Sequence, residues 1–269
     1  PRGTNAEVAG ARTPVVTFCR VARGLHQLTV RNFGILGDVS VSLGRLSVLV
    51  GPNGSGKTTL LRVVQFLGDA ARGQLATALQ AHGGWDRLAT RKEPPTREIT
   101  IEVTAEVTSH AHRGALDEYA LVFSPRSLRL PDGSVRPAVA HEESFKFKRT
   151  AKQGRRITLK GGRLSISGEG SKRRQRSLDE DAFGLAILPQ LGPQEGGSEI
   201  RKIQELFTTF RVFDVDAERA RAPSDTRAPA PLKANAENLA AFLGFLHREH
   251  AATFADLVDR KSTRLNSSH

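Results

Sequence analysis

The stretch Gly51-Pro52-Asn53-Gly54-Ser55-Gly56-Lys57-Thr58 decides the fold of this chain. It has a glycine, four free positions, and then Gly-Lys-Thr, which is the spacing of a phosphate-binding loop (P-loop). The glycines let the backbone curl, so that several N–H groups can point at one anion. A helix that begins beside the loop presents its positive end to the same anion. The pattern therefore predicts a loop that binds the phosphates of a nucleotide.

Each residue of the loop has an expected role. The lysine, Lys57, can reach the β- and γ-phosphates and is the candidate catalytic residue. The Thr58 hydroxyl is the predicted Mg²⁺ ligand, and Thr59 can touch the α-phosphate. The expected cofactors are ATP and Mg²⁺. The predicted nucleotide-binding residues form one continuous segment: Gly51, Pro52, Asn53, Gly54, Ser55, Gly56, Lys57, Thr58 and Thr59.

The residues on either side of the loop fit this interpretation. Residues 46–50 are a short, nearly continuous apolar run, which is typical of a buried parallel strand. After the loop, Leu60, Leu61, Val64 and Leu67 recur at helical spacing. We expect this helix to begin at about Gly56 and to end near Gly68, because glycine often follows the last helical turn. The strand–loop–helix context separates a P-loop from a glycine-rich turn that binds nothing.

The rest of the chain alternates between strand and helix patterns. Strand period marks residues 26–31, 39–43, 99–107 and 119–123, and helical patterns mark residues 72–82, 200–209 and 235–247. Residues 144–168 are typical of an antiparallel meander, with Gly161-Gly162 as a hairpin turn. We expect a polar loop at 168–180, a strand at 210–215 and a connector at 223–231. The predicted fold is α/β, with a mixed sheet that carries the P-loop strand and an antiparallel β-subdomain.

The composition excludes several classes of protein. No run among the 269 residues approaches the roughly 18 apolar residues of a membrane helix, so we expect no membrane insertion. The single cysteine, Cys19, excludes a disulfide framework. The net charge of +12 favours polyanionic partners. The start of the chain does not resemble a signal peptide, which predicts a cytoplasmic location.

We expect the two ends of the chain to lie outside the organised part. Residues 1–24 mix Pro, Gly, Ala and Arg, which is typical of a poorly ordered or non-native leader, and the chain contains no Met, so the true N-terminus is unknown. Residues 259–269 resemble one reading frame of a common short-read sequencing adapter, so we interpret them as a library artefact; the alternative is an ordinary polar tail. The organised segment is then 25–258.

Residues 25–67 resemble the N-terminal part of ABC-type ATPases of the RecF/SMC kind. The resemblance lies in Leu28-Thr29-Val30-Arg31-Asn32-Phe33, in the alternating strand that follows, and in residues 49–61. Such proteins are also called AAA family ATPases, with a core like that of OLD-type nucleases. The resemblance implies ATP binding and, in the complete parent protein, Mg²⁺-dependent hydrolysis. It also implies a homodimer or a partner ATPase subunit that sandwiches ATP, with DNA as a candidate partner.

Two parts of the family pattern are missing from the sequence. One is the signature loop, and the other is a run of four apolar residues followed by Asp-Glu, which would position Mg²⁺ and water. The nearest acidic strand end is Val212-Phe213-Asp214-Val215-Asp216, whose apolar lead is too short. We therefore predict a C-terminally truncated domain, in which residues 25–258 bind ATP without efficient turnover.

Two alternative functions stay open. The first is the nucleotide-binding subunit of an ABC transporter, although the second helix and Gly83-Gly84-Trp85 favour the RecF/SMC kind. The second is a nucleic-acid-binding module that uses the basic meander, because residues 146–176 hold twelve Lys and Arg but one acid, Glu169. Trp85 and Phe33 are expected to pack in the core. His110 and His112 have no third ligand nearby, so we expect a surface loop rather than a zinc site.

Overall fold

The computed structural model describes residues 15–19, 24–44, 46–112, 114–129, 132–148, 154–168, 171–225 and 231–266. The chain divides into two compact units, residues 1–210 and residues 211–269. The P-loop and both sheets lie in the first unit, and the second unit is helical. Among the described residues, no helix combines the length and the apolar character needed to cross a membrane.

The described strands form two antiparallel sheets. In chain order they are β1 (Val15–Cys19), β2 (Leu25–Phe33), β3 (Leu36–Ser42), β4 (Ser47–Gly51), β5 (Ile99–Ala105), β6 (Asp117–Arg129), β7 (Val135–Lys148), β8 (Gly154–Lys160), β9 (Arg163–Gly168) and β10 (Ser171–Ser177). The large sheet has the order β10-β9-β8-β7-β6-β5-β2-β3, and the small sheet is the pair β1-β4. The predicted α/β class and the antiparallel meander are confirmed.

The helices of the first unit cover one face of the large sheet. They are α1 (Lys57–Arg72), α2 (Leu75–Ala81), α3 (Trp85–Leu88), α4 (Gly184–Ile187) and α5 (Gly197–Thr208), with 3₁₀ turns at Leu188–Gln190 and Pro193–Glu195. The second unit contains α6 (Ala217–Arg221), α7 (Leu239–Glu249) and α8 (Ala251–Asn266). The last helix enters the segment that we interpret as an artefact, and the side chains of residues 260–269 lie outside the described part. The domain boundaries of the sequence analysis stay predictions.

Aromatic side chains join α1 and α5 to the sheet. Phe66 of α1 stacks on Phe123 of β6 at a ring-centroid distance of 5.5 Å, and it meets the edge of Phe33 at 5.9 Å. Phe207 of α5 meets Tyr119 at 5.3 Å. All five rings are almost completely buried. Because strand side chains alternate between faces, the apolar side chains of β2, β5, β6, β7, β8 and β9 reach this one core.

The predicted end of the first helix was wrong. The helix continues through Gly68 to Arg72. A Cβ atom at Gly68 would lie 3.2 Å from the carbonyl oxygen of Phe207, so the missing side chain lets α1 and α5 approach closely. Gly68 therefore serves helix packing rather than helix termination.

The prediction of a buried parallel strand at 46–50 was also wrong. The strand β4 pairs antiparallel with β1, which is its one partner among the described residues. Val48 and Val50 remain 46% and 58% exposed, whereas Leu49 packs against the core. A strand is buried on both faces only when helices cover both. Within the described part, one face of β4 is uncovered, so the P-loop strand lies outside the large sheet.

Two further predicted elements differ from the structure. The expected polar loop at 168–180 contains β10, which pairs with β9 at the edge of the large sheet. An edge strand needs one neighbour and tolerates charged side chains, so its polar sequence resembles a loop. The expected strand at 210–215 has no regular structure. The nearby Asp216 instead accepts hydrogen bonds from the N–H groups of Glu218 and Arg219 and caps α6.

Candidate phosphate-binding site

The P-loop lies between the end of β4 and the first residue of α1. The strand ends at Gly51 and the helix begins at Lys57, as the sequence predicts. Gly54 and Gly56 have φ angles of 80° and 97°, in the left-handed region that favours glycine. These two residues turn the chain from the strand into the helix. The binding roles assigned to the loop residues stay predictions.

The loop is open to solvent on one side and packed on the other. Asn53, Gly54 and Thr58 are exposed, and Gly56 is buried. The remaining predicted site residues are half-buried: Gly51, Pro52, Ser55, Lys57 and Thr59. The nine residues thus form one continuous segment from the end of β4 to the first turn of α1, and Thr58 is on its solvent-exposed side.

The first turn of α1 has the electrostatic character of an anion site. Its N-cap is Gly56, which offers no side chain to bond the helix amides, and the first turn contains no acidic residue. The first intrahelical bond runs from the Leu60 N–H to the Gly56 carbonyl oxygen at 2.8 Å. The N–H groups before Leu60 are therefore outside the helical ladder, and the helix dipole adds positive potential there.

Lys57 turns back over the loop that precedes it. Its Nζ donates to the carbonyl oxygens of Gly51 at 2.8 Å and Pro52 at 2.7 Å. It also lies 3.3 Å from Ser55 Oγ. An ammonium group has three donors, so the loop itself uses all of them. A phosphate oxygen would have to replace one or more of these contacts when it binds.

The turn between β2 and β3 packs against the start of α1. A Cβ atom at Gly56 would lie 2.7 Å from Leu36 Cδ2, and a Cβ atom at Gly34 would lie 2.7 Å from Thr59 Cγ2. Ile35, in the same turn, is 58% exposed. Core packing of Phe33 was predicted here, but no contact between this turn and the P-loop was. The sequence feature that could have indicated this turn is Asn32-Phe33-Gly34, at the end of a predicted strand.

Several other candidate residues have structural roles. Phe33 is completely buried, and Trp85 meets the ring edge of Phe123 at 6.1 Å, so both pack as expected. His112 Nδ1 accepts a hydrogen bond from the Gly114 N–H. Within the described residues, no group of three or more His, Cys, Asp or Glu side chains could hold a metal ion.

The acidic strand end at 212–216 does not exist as a strand. One oxygen of Asp216 accepts the two N–H groups that begin α6, and the other lies 3.3 Å from Arg219 Nε. The carboxylate is therefore engaged as a helix cap. This observation removes the reason for regarding Asp216 as a catalytic group.

The basic meander is neutralised in part by acidic side chains from other elements. Lys146 and Lys148 both contact Glu118 of β6. Burial raises the pKa of Glu118, but the hydrogen bonds from the two lysines outweigh burial and lower the pKa below its usual value. Other cations of the meander also form ion pairs: Arg155 with Glu199, Lys160 with Glu142, and both Arg174 and Arg176 with Glu195. These partners could not be predicted from a local sequence pattern, because they are distant in sequence.

A buried carboxylate, which the sequence analysis did not single out, joins α4 to the sheet. Glu143 of β7 is completely buried and accepts hydrogen bonds from Tyr119 Oη at 3.0 Å and from the Leu185 N–H at 3.1 Å. The Gly184 N–H also donates to it. Burial raises the pKa of Glu143 to about 7, although these donors oppose the shift. His141 Nε2 lies 3.9 Å from the carboxylate.

Comparisons with known proteins agree with the P-loop geometry. Residues 46–117 match the family described as "AAA domain, putative AbiEii toxin, Type IV TA system". The chain is 52% identical over 46 residues to the OLD nuclease of Thermus scotoductus, an alignment that covers 17% of this chain and 9% of the nuclease. It is 38% identical over 64 residues to the sn-glycerol-3-phosphate import ATP-binding protein UgpC of Burkholderia cenocepacia, with 24% of this chain and 16% of UgpC aligned.

The matched parts are short, so the chain spans much less than two thirds of these curated relatives. The family match nevertheless contains the whole P-loop, and the strand and helix that flank it lie where such a site requires them. Residues 46–117 are therefore similar to the P-loop core of AAA-type and ABC-type ATPases.

Proposed function

We propose that this chain binds Mg·ATP at residues 51–59 as the N-terminal part of an ATPase of the RecF/SMC kind. The observation that carries the proposal is the start of α1, where a glycine N-cap, an acid-free first turn and the Lys57 ammonium create positive potential at one point. Phosphate oxygens fit this point because they can accept hydrogen bonds from the backbone N–H groups and from the lysine at the same time. The ATP-binding protein and the nuclease among the relatives support the same assignment.

The residues of the loop have distinct proposed tasks. The backbone of residues 51–56 surrounds the phosphates, and Lys57 exchanges contacts with Gly51 and Pro52 for contacts with the β- and γ-phosphates. Thr59 would contact the α-phosphate of a bound nucleotide. Thr58 is the residue of this chain that would hold Mg²⁺, since Mg²⁺ takes one or two protein oxygens and completes its shell with water and phosphate oxygens. When bound, Mg²⁺ neutralises phosphate charge.

Replacement of Lys57 tests the binding proposal. We expect Lys57→Ala to weaken Mg·ATP binding about 10- to 100-fold, because a charge-assisted hydrogen bond to phosphate is lost. The measurement is a calorimetric titration of the 269-residue chain. Lys202→Ala, which removes the same charge from an exposed position on α5, is the matched control. Equal affinities of the wild type and Lys57→Ala would refute the proposal.

Hydrolysis belongs to the complete parent protein in this proposal. The sequence lacks the signature loop and a run of four apolar residues followed by Asp-Glu, and Asp216 is engaged as a helix cap. We therefore expect phosphate release at or near background when the chain binds Mg·ATP. Turnover that disappears in Lys57→Ala would show that a catalytic carboxylate is present, and Asp214 would then be the first residue to replace.

The partners and the location are also proposals. By resemblance, the parent protein pairs with a second copy or with a partner ATPase subunit in the cytoplasm, and DNA is the candidate partner of the pair. The specific feature that favours nucleic acid is the pair of exposed arginines Arg156 and Arg163 on neighbouring strands. Against it, most described cations of the meander already contact carboxylates. Arg156→Ala with Arg163→Ala should abolish DNA binding and leave ATP binding unchanged.

A further inference from the structure

The turn between β2 and β3 lies between the P-loop and the segment at the end of α3. On the P-loop side, Gly34 lies against Thr59, and Gly56 lies against Leu36. A Cβ atom at either glycine would prevent this close approach. On the other side, the Gly34 N–H donates to the Leu88 carbonyl oxygen at 2.6 Å. The turn therefore contacts the first turn of α1 on one side and the end of α3 on the other.

The backbone of the turn is held in a sparsely populated conformation. Asn32 has a φ angle of 61°, and Gly34 has a φ angle of 59°. The left-handed region is uncommon for residues with a side chain, although Asn tolerates it better than most. The Asn32 carbonyl oxygen accepts a hydrogen bond from the Thr90 N–H at 2.9 Å, and Phe33 pairs with Ala89. Such strain is often retained at functional sites because surrounding contacts stabilise it.

The side chain of Asn32 makes two hydrogen bonds outside the hydrophobic core. Its Oδ1 accepts from Lys92 Nζ at 2.7 Å, and its Nδ2 donates to the Glu98 carbonyl oxygen at 3.1 Å. Lys92 and Glu98 are both exposed, whereas Phe33, the residue after Asn32, is completely buried. The two contacts connect the end of β2 to the exposed segment before β5.

We propose that Asn32 is a positioning residue for the phosphate site, which it keeps in place through the turn at residues 33–36. The hydrogen bonds of Asn32 with Lys92 and Glu98 hold this turn in contact with Gly56 and Thr59. The amides at the start of α1 are thereby preorganised for phosphate. This inference deepens the proposed function and rests on it for the identity of the ligand.

Asn32→Gly is the decisive variant, because glycine accepts the positive φ angle and removes both side-chain contacts. We expect its affinity for Mg·ATP to fall about tenfold, as for the loss of two ordinary hydrogen bonds. Lys92→Ala removes one contact from an exposed position, so it should weaken binding by less while the thermal midpoint stays within about 2 °C of the wild type. Arg91→Ala is its matched control, since it removes a neighbouring exposed charge that does not contact Asn32.

A second readout separates positioning from charge and from general stability. In the nucleotide-free chain, the amide resonances of Thr58 and Thr59 should move in Asn32→Gly and in Lys92→Ala and stay fixed in Arg91→Ala. The weaker binding should persist at high salt, where a lost charge is screened. Leu159→Ala, in the core at β8, should lower the thermal midpoint and leave both the amide resonances and the affinity unchanged.

The outcomes are distinguishable. Unmoved Thr58 and Thr59 resonances in both variants would overturn the positioning role, and so would an affinity loss in Leu159→Ala as large as that in Asn32→Gly. If the wild type binds no Mg·ATP, the proposed function fails, but the amide resonances still decide whether Asn32 holds the start of α1. Moved resonances, together with a loss of affinity relative to the wild type that persists at high salt, support the inference.

Discussion

In the eight-stranded sheet, Ile99, Ile101 and Leu121 are completely buried, whereas Val48 and Val50 of the P-loop strand remain 46% and 58% exposed. All five are apolar, and all lie in strands. The difference comes from their neighbours. The large sheet has α1 and α5 on one face, and β4 has one described partner strand and one uncovered face. Apolar character alone therefore does not decide burial.

The same contrast separates stability from binding. The core under the large sheet is formed from aromatic and aliphatic side chains, while the P-loop is formed largely from backbone groups at the border of that core. We expect substitutions in the first region to change the free energy of unfolding. Substitutions in the second region should change ligand affinity more than stability.

The largest expected effect is the loss of an aromatic ring from the core. Phe66 contacts the rings of Phe33, His82 and Phe123 and is completely buried. Phe66→Ala should lower the free energy of unfolding by about 3–5 kcal/mol, since the change leaves a cavity beneath the sheet. Denaturant unfolding measures it. A loss of less than about 1 kcal/mol would mean that this part of the core is not packed as described.

The second effect depends on pH and on Glu143. Burial raises the pKa of Glu143 from 4.5 to about 7, so the folded protein binds this proton more tightly than the unfolded chain does. The contribution to stability is fully present below about pH 4.5 and is lost as the pH rises through about 7. The change across this window is on the order of 3 kcal/mol.

Glu143→Gln isolates this contribution, because it removes the titration and keeps the shape of the side chain. Between pH 5 and pH 7.5, the free energy of unfolding of the wild type should fall relative to that of Glu143→Gln. Urea unfolding at several pH values measures this change. A shift in favour of the wild type would show that the donors Tyr119, Gly184 and Leu185 outweigh burial.

The smallest expected effect is at the P-loop strand. Val50→Thr should change the free energy of unfolding by no more than about 0.5 kcal/mol, since the side chain is already exposed to water. Val103→Thr makes the same chemical change at a position in β5 that is 1% exposed, and it should cost about 1–3 kcal/mol because a hydroxyl is buried. Equal losses at the two positions would contradict the comparison between the sheets.

The candidate site could be predicted from sequence to the extent that it depends on neighbouring residues. The glycines at 54 and 56 and the lysine at 57 are consecutive, and their conformations follow from local backbone preferences. The contribution of the β2–β3 turn could not be predicted in this way. It depends on a close contact between Gly34 and Thr59, and on Lys92 reaching Asn32 across 60 positions of the chain.

The sequence by itself determined the α/β class, the start of α1 and the meander at 144–168, because hydrophobic period and glycine conformation act over a few residues. The tertiary structure alone decided that Gly68 lies inside a helix, that residues 171–177 add an edge strand, and that β4 stays outside the large sheet. It also decided that Glu118 neutralises two lysines of the basic meander. The physical reason is the same in each case: burial, edge pairing and ion pairing are properties of neighbours in space, which a local pattern does not contain.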